Sequence, residues 1–172
     1  MSPLFALRWR MSVNTFTDLY TKMMGGRPML GPFLAGHLAV EYMLRRIIVI
    51  YNPALANLAD DLNHARLISL NVDIGAINSA QRDVLVAINR MRNKLSHQIS
   101  YEPTLAELRA LFVNAASAFS DMTDGIEQGI GEIDAAAQLS DLEEYVISEL
   151  FAQICYDLHS AYHELGGDME DF

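Results

Sequence analysis

The chain has one cysteine, Cys155, and only five prolines in 172 residues. A single cysteine cannot form an intramolecular disulfide, which excludes a disulfide-stapled domain and favours a reducing compartment such as the cytoplasm. The scarcity of proline and the absence of strand-like alternation favour helices over a sheet. Because 51% of the residues are hydrophobic and 20% are charged, a folded core is expected. The sequence predicts a single all-α domain over residues 1–172.

The sequence also lacks a long apolar run that is free of charge. Its most apolar stretch, residues 29–51, contains Glu41, Arg45 and Arg46 near the middle. Charged side chains at the centre of a bilayer are costly, so this stretch is predicted to be a buried core helix. Residues 1–10 have no apolar segment followed by a small-residue cleavage site, and no secretory signal is expected. We therefore predict a cytoplasmic protein that does not associate with membranes.

Basic residues are scarce in the C-terminal part of the chain. Residues 1–100 carry eleven Lys and Arg against six Asp and Glu, whereas residues 101–172 carry one Arg against sixteen Asp and Glu. The overall net charge of −10 therefore conceals a basic N-terminal part and a strongly acidic C-terminal part. Phosphate contacts supply most of the affinity for nucleic acid, so only the N-terminal part is suited to present such a surface.

Apolar residues recur at helical spacing through most of the chain. Residues 12–120 are predicted to form a helical bundle of antiparallel helices, with residues 121–138 as the linker to an acidic amphipathic C-terminal helix over 139–167. A capping box is expected at Thr104 with Glu107 and another at Ser140 with Glu143. The predicted helices span 12–24, 31–51, 54–70 with a break near Asp60, 78–97, 104–119 and 139–167.

Six consecutive residues carry the groups that most directly suggest chemistry. They read Arg92-Asn93-Lys94-Leu95-Ser96-His97 and are expected in the last turn of a helix. A guanidinium can hold a phosphate, and an imidazole that titrates near neutral pH can move a proton beside it. The helix dipole alone also favours basic residues in a last turn, so an ordinary helix end is the alternative interpretation.

The spacing within this segment limits how it can form a site. Asn93 and His97 are four residues apart and share a helix face, whereas Arg92 and His97 lie roughly 140° apart around the axis. Either the last turn is distorted, or a second copy of the chain completes the site in a symmetric homodimer. In a dimer, one histidine could accept a proton while the other donates one.

The motif Arg92-Asn93-x3-His97, within residues 88–97, resembles the signature of HEPN domains (higher eukaryotes and prokaryotes nucleotide-binding). Residues 37–44 are similar to the second-helix region of that family, and the resemblance covers about residues 30–119. It implies a small all-α bundle of the kind found in toxin–antitoxin and phage-defence systems. Active members are dimeric, metal-independent RNA endonucleases that need no cofactor, and an antitoxin-like protein partner is possible.

The resemblance also implies roles for individual residues. His97 would act as acid or base on the RNA 2′-hydroxyl or the leaving oxygen, while Arg92, with Lys94, would bind the scissile phosphate. Asn93 would orient His97 or the phosphate, and Glu41 and Ser96 would support the site. Cleavage would leave a 2′,3′-cyclic phosphate. Many relatives lack activity, so the alternative is a non-catalytic dimeric interaction or regulatory protein with the same fold.

Two other groups of residues have the composition of a site. Cys155, His159 and His163 are spaced by four along one helix face, but a straight helix spreads the outer two too far apart for one zinc ion. A structural role is favoured, and no metal site is predicted. His37 and Glu41 are also four apart, and we expect a hydrogen-bonded structural pair there, with positioning of Arg92 by Glu41 as the alternative.

Overall fold

A computed structural model describes residues 15–24, 27–168 and 170 of the chain. All regular structure in these residues is helical, which confirms the predicted all-α class. The start of the first predicted helix, residues 12–14, lies outside the described residues. The elements that the structure describes are α1 Phe16–Met24, α2 Leu30–Tyr51, a 3-10 turn Pro53–Leu55, α3 Ala56–Asp61, α4 His64–Asp73, α5 Ser79–His97, α6 Leu105–Ala118, α7 Gly125–Ala135, a 3-10 turn Leu139–Asp141 and α8 Glu144–Glu164.

Helix α2 is the central helix of the bundle and contacts α3, α4, α5 and α8. It is apolar on more than one face, and its fully buried residues include Phe33, Val40, Leu44, Ile47 and Ile48. A helix that must pack against several neighbours needs such a wide apolar surface. None of the helices in the described residues has the length and apolar character needed to cross a membrane.

The C-terminal helix α8 belongs to the core, and its most extensive packing is against α2. The rings of Phe33 and Phe151 meet edge to face with their centroids 5.6 Å apart. Gly36 allows this approach, because a Cβ built on it would lie 2.1 Å from the Phe151 ring. The amphipathic pattern of the acidic helix thus buries its apolar face within the same bundle.

The predicted linker over 121–138 is wrong in its central part, where the structure has helix α7. Ile126 and Ile133 of α7 are buried, and the helix packs against both α6 and α8. Glycines suggested a flexible connection, but Gly129 instead allows close packing. A Cβ at Gly129 would lie 2.3 Å from the Phe112 ring on α6. Residues on both sides of this segment therefore belong to one packed bundle.

Side-chain caps fix several of the helix boundaries. Thr104 and Glu107 form the predicted capping box at the start of α6, and Asn78 caps α5. The second predicted box, at Ser140 with Glu143, is not formed. Ser140 instead lies within the 3-10 turn Leu139–Asp141, where the carboxylate of Asp141 accepts a hydrogen bond from the backbone N–H of Gln138. A capping pattern in the sequence therefore does not fix the start of a helix where a short turn precedes that helix.

Candidate functional site

The C-terminal end of α5 presents four of the predicted site residues to solvent. Asn93, Lys94, Ser96 and His97 are all exposed, while Leu95 between them is buried and anchors the turn in the core. The helix is regular up to its last residue, His97. An exposed imidazole and amide on one face of a rigid helix end can contact a ligand without rearrangement of the fold.

Arg27 holds this helix end in place. Its guanidinium donates a short hydrogen bond to the carbonyl of Leu95, and the same NH2 group lies 3.4 Å from the carbonyl oxygen of Gln98. The last carbonyls of a helix have no partner within the helix, so a guanidinium is a suitable cap. Lys94 extends over the ring of Tyr101 with its Nζ 5.2 Å from the centroid. The position of the exposed turn is thus determined by contacts from outside α5.

Arg92 points into the protein, away from His97. It is half-buried, and one terminal nitrogen of its guanidinium lies 3.3 Å from His37 Nε2 on α2. Within the described residues, Arg92 and His97 share no hydrogen bond or ring contact. The last turn is not distorted to bring the two together. A single chain therefore does not assemble Arg92 and His97 into one site.

Arg92 ends at a group of polar side chains, which we call the polar cluster: His37 and Glu41 on α2, and His64 on α4. The imidazole rings of His37 and His64 lie against each other with centroids 3.9 Å apart and planes tilted by 32°. Glu41 Oε2 lies 3.4 Å from His64 Nδ1. Asn89 on α5 places its Oδ1 3.3 Å from His37 Nε2. Three helices thus contribute to one largely buried polar site.

In the part of the chain that the structure describes, Glu41 contacts Arg45 and His64 and makes no hydrogen bond or ion pair with Arg92. Arg45 NH1 donates to Glu41 Oε1 at 2.5 Å. The same guanidinium donates to the carbonyls of Ala59 and Leu62 at 3.1 Å each, where α3 ends. The hydrogen bond expected between His37 and Glu41 is not found in the described residues, where His37 instead contacts Asn89 and Arg92. The carboxylate is anchored by an arginine that also closes the end of a neighbouring helix.

Burial and charge determine the protonation of the polar cluster. Burial, and the neighbouring His37, lower the pKa of His64 from 6.5 to about 4. Burial, with the charge of Arg92, also lowers the pKa of His37. Burial opposes ionisation of Glu41, but the hydrogen bond and charge of Arg45 outweigh it, so its pKa is lowered as well. At neutral pH the cluster therefore holds two neutral imidazoles and one carboxylate.

These three residues can offer donor atoms to a metal ion. One donor atom from each lies within 4.8 Å of the other two, a convergence that no other group of three His, Cys, Asp or Glu reaches in the described residues. Cys155, His159 and His163 are not brought together in this way. His163 Nδ1 instead lies 3.0 Å from the carbonyl oxygen of Gly167, and burial raises the pKa of Cys155 to about 11.

Sequence reasoning missed His64, which completes the polar cluster. Its only sequence signal is local, because it precedes the buried residues Leu67, Ile68 and Asn71 at spacings of three, four and seven. That spacing places His64 on the core face of α4. It does not indicate that His37, far away in the sequence, lies against it, since this depends on how α2 and α4 pack.

A comparison of the chain with protein-family models, curated proteins and solved structures finds no match. Two features of the described residues bear on function, the exposed end of α5 and the polar cluster.

Proposed function

We propose that the protein is a dimeric, metal-independent RNA endonuclease of the kind that the HEPN resemblance implies. The observation that carries the proposal is the geometry of α5. His97 and Asn93 are exposed on a regular helix end, whereas Arg92 is directed elsewhere in the same chain. Arg92 and His97 lie on different sides of α5, so the proposal pairs Arg92 of one copy with His97 of the other, which requires the half-buried Arg92 to turn outward from His37. An antitoxin-like protein would then be a natural partner to cover the exposed end.

The residues of α5 have the chemistry that such a reaction requires. His97 takes the proton of the RNA 2′-hydroxyl, and the oxygen so formed attacks the adjacent phosphorus and releases the 5′-oxygen. A second imidazole, from the partner subunit, protonates the leaving oxygen. Arg92 stabilises the additional negative charge on the phosphate, for which a planar guanidinium is well suited. The products are a 2′,3′-cyclic phosphate and a 5′-hydroxyl.

The charge near the helix end supports an RNA substrate. Residues 84–101 carry three basic residues, Arg90, Arg92 and Lys94, and no acidic residue. Arg90 and Lys94 are exposed on α5. Clustered cations on one exposed element attract the phosphate backbone even where the whole protein is acidic. Ser96 adds an exposed hydroxyl to the same turn.

The test is incubation of the purified protein with RNA in the presence of EDTA. We expect cleavage with cyclic phosphate ends, which His97→Ala and Arg92→Ala each abolish and which His163→Ala leaves unchanged. His163 is a matched control because it is an exposed histidine at the end of another helix. No cleavage by the wild-type protein, or full cleavage by His97→Ala, would contradict the proposal.

Mixing the two inactive variants tests the shared site. A heterodimer of Arg92→Ala and His97→Ala still contains one intact Arg92 and one intact His97, on different subunits. Partial activity should return on mixing if Arg92 and His97 act across the interface, and it should stay below that of the wild type because the heterodimer has only one of the two imidazoles. It should stay absent if both must come from the same chain.

A second candidate function is a non-catalytic dimeric regulatory protein. The contact between Arg92 and the buried His37 favours it, because a guanidinium engaged inside the protein is less available to a phosphate. This candidate predicts a stable dimer by light scattering together with no RNA cleavage at any protein concentration. It also predicts that Arg92→Ala changes stability more than any binding property.

A further inference from the structure

We propose that the polar cluster of His37, Glu41 and His64 is a binding site for a divalent transition-metal ion, with Zn²⁺ as the best match. Two imidazoles and one carboxylate are a common set of zinc ligands in proteins. The three donor atoms converge from two helices to within 4.8 Å of one another. The site is separate from the exposed residues of α5, and the inference does not depend on the proposed ribonuclease activity.

The distances within the cluster are close to those of a tetrahedral site. Zinc bonds to nitrogen and oxygen are about 2.0–2.2 Å long, so two ligand atoms of one tetrahedral ion lie about 3.3 Å apart. His64 Nδ1 and Glu41 Oε2 are already 3.4 Å apart. The full set spreads over up to 4.8 Å, and closing it around an ion requires the adjacent rings of His37 and His64 to turn apart.

His64 supplies an independent reason to expect a ligand. Its side chain is only 3% exposed, yet among the described residues neither ring nitrogen finds a hydrogen-bond partner of good geometry. Buried polar atoms without a partner are uncommon in folded proteins, and each one calls for an explanation. A neutral imidazole has one ring nitrogen whose lone pair can bind a ligand. A metal ion would satisfy that lone pair.

The surroundings of the cluster resemble the outer contacts of known metal sites. Arg45 holds Glu41 through Oε1 and leaves Oε2 directed at His64. Asn89 offers an acceptor oxygen 3.3 Å from His37 Nε2, and ligating imidazoles commonly donate their second ring N–H to such an oxygen. Two of the three ligands are thus oriented by side chains that do not themselves bind the ion.

The experiment is a titration of the EDTA-stripped, desalted protein with ZnCl₂ by calorimetry, and with CoCl₂ by visible absorption. We expect one ion per chain and the intense absorption bands of tetrahedral Co²⁺. His64→Leu and Glu41→Gln should each weaken binding roughly tenfold or more, since each removes a ligand. His163→Leu is the control, and its binding should equal that of the wild type.

Two results would overturn the inference. One is no saturable binding of Zn²⁺ by the wild-type protein at neutral pH. The other is binding that His64→Leu and Glu41→Gln leave unchanged, which would place the ion at a surface site. Folding of each variant is checked by circular dichroism. Should a variant not fold, the wild-type thermal midpoint decides, because an ion bound only by the native state must raise that midpoint with increasing Zn²⁺.

Discussion

Lowering the pH should destabilise the folded chain through His64. In the folded protein its pKa is about 4, whereas in the unfolded chain it has its ordinary value of 6.5. The unfolded state therefore binds more protons between these values, so the free energy of unfolding falls as the pH drops below 6.5 and levels off below 4. The groups that face His64 are His37, Glu41 and Arg92.

The magnitude follows from the two pKa values. At about pH 5 the unfolded histidine is almost fully protonated, while the folded one is about one-tenth protonated, and the difference corresponds to about 2 kcal/mol. His64 is 3% exposed, so solvent screens little of this effect. For a domain of this size, 2 kcal/mol is a substantial part of the total stability.

Urea unfolding of the wild type and of His64→Leu separates the contribution of His64 to the pH dependence of stability from that of other titrating groups. Both proteins are unfolded in EDTA at about pH 7.5 and about pH 5, so that bound metal does not contribute. The wild type should lose about 2 kcal/mol more than the variant between the two conditions, because leucine does not titrate. An equal loss in both proteins would refute the reasoning and would mean that His64 titrates normally in the folded state.

Three further predictions concern packing and capping, each measured as a change in the urea unfolding free energy. Gly129→Ala should cost about 1–3 kcal/mol because its Cβ meets the Phe112 ring. The control Gly131→Ala lies in open space on the same helix and should stabilise the protein by roughly 1 kcal/mol. Equal effects of the two substitutions would contradict the packing account. Asn71→Ala should cost about 1–3 kcal/mol, since the buried amide donates to two carbonyls at 2.8 and 3.1 Å, and a neutral change would show that these bonds add nothing. Asn78→Ala should cost about 0.5–2 kcal/mol because α5 loses its N-terminal cap. The slope of the unfolding free energy against urea concentration should not change.

Helix identity and most boundaries could be predicted because they depend on local signals. The apolar pattern of α2 and the capping box at Thr104 are both set by residues close in sequence, and the structure has both the predicted helix and the predicted cap. The break near Asp60 is also found, since α3 ends at Asp61 and α4 begins at His64. The linker predicted around Gly129 is wrong because glycine indicates either flexibility or close packing, and only the neighbouring Phe112 ring decides between them.

The candidate site was predictable only in its exposed part. The face shared by Asn93 and His97 follows from helix geometry, as does their separation from Arg92. The partner of Arg92 did not follow, because His37 reaches it only through the packing of α2 against α5. The pairing of Glu41 with Arg45 and His64 likewise depends on where α3 ends and α4 begins.

Arg92 connects the exposed end of α5 with the polar cluster. It lies on the helix that presents His97 to solvent, and its guanidinium contacts the imidazole of His37 inside the polar cluster. A metal ion bound by His37 would place a second positive charge beside that guanidinium, and like charges at this distance repel strongly where water is excluded. Occupation of the cluster would therefore favour an outward position of Arg92. Under the two proposals, the exposed end of α5 and the polar cluster share the side chain of Arg92, so we expect a ligand at one of them to change the affinity at the other.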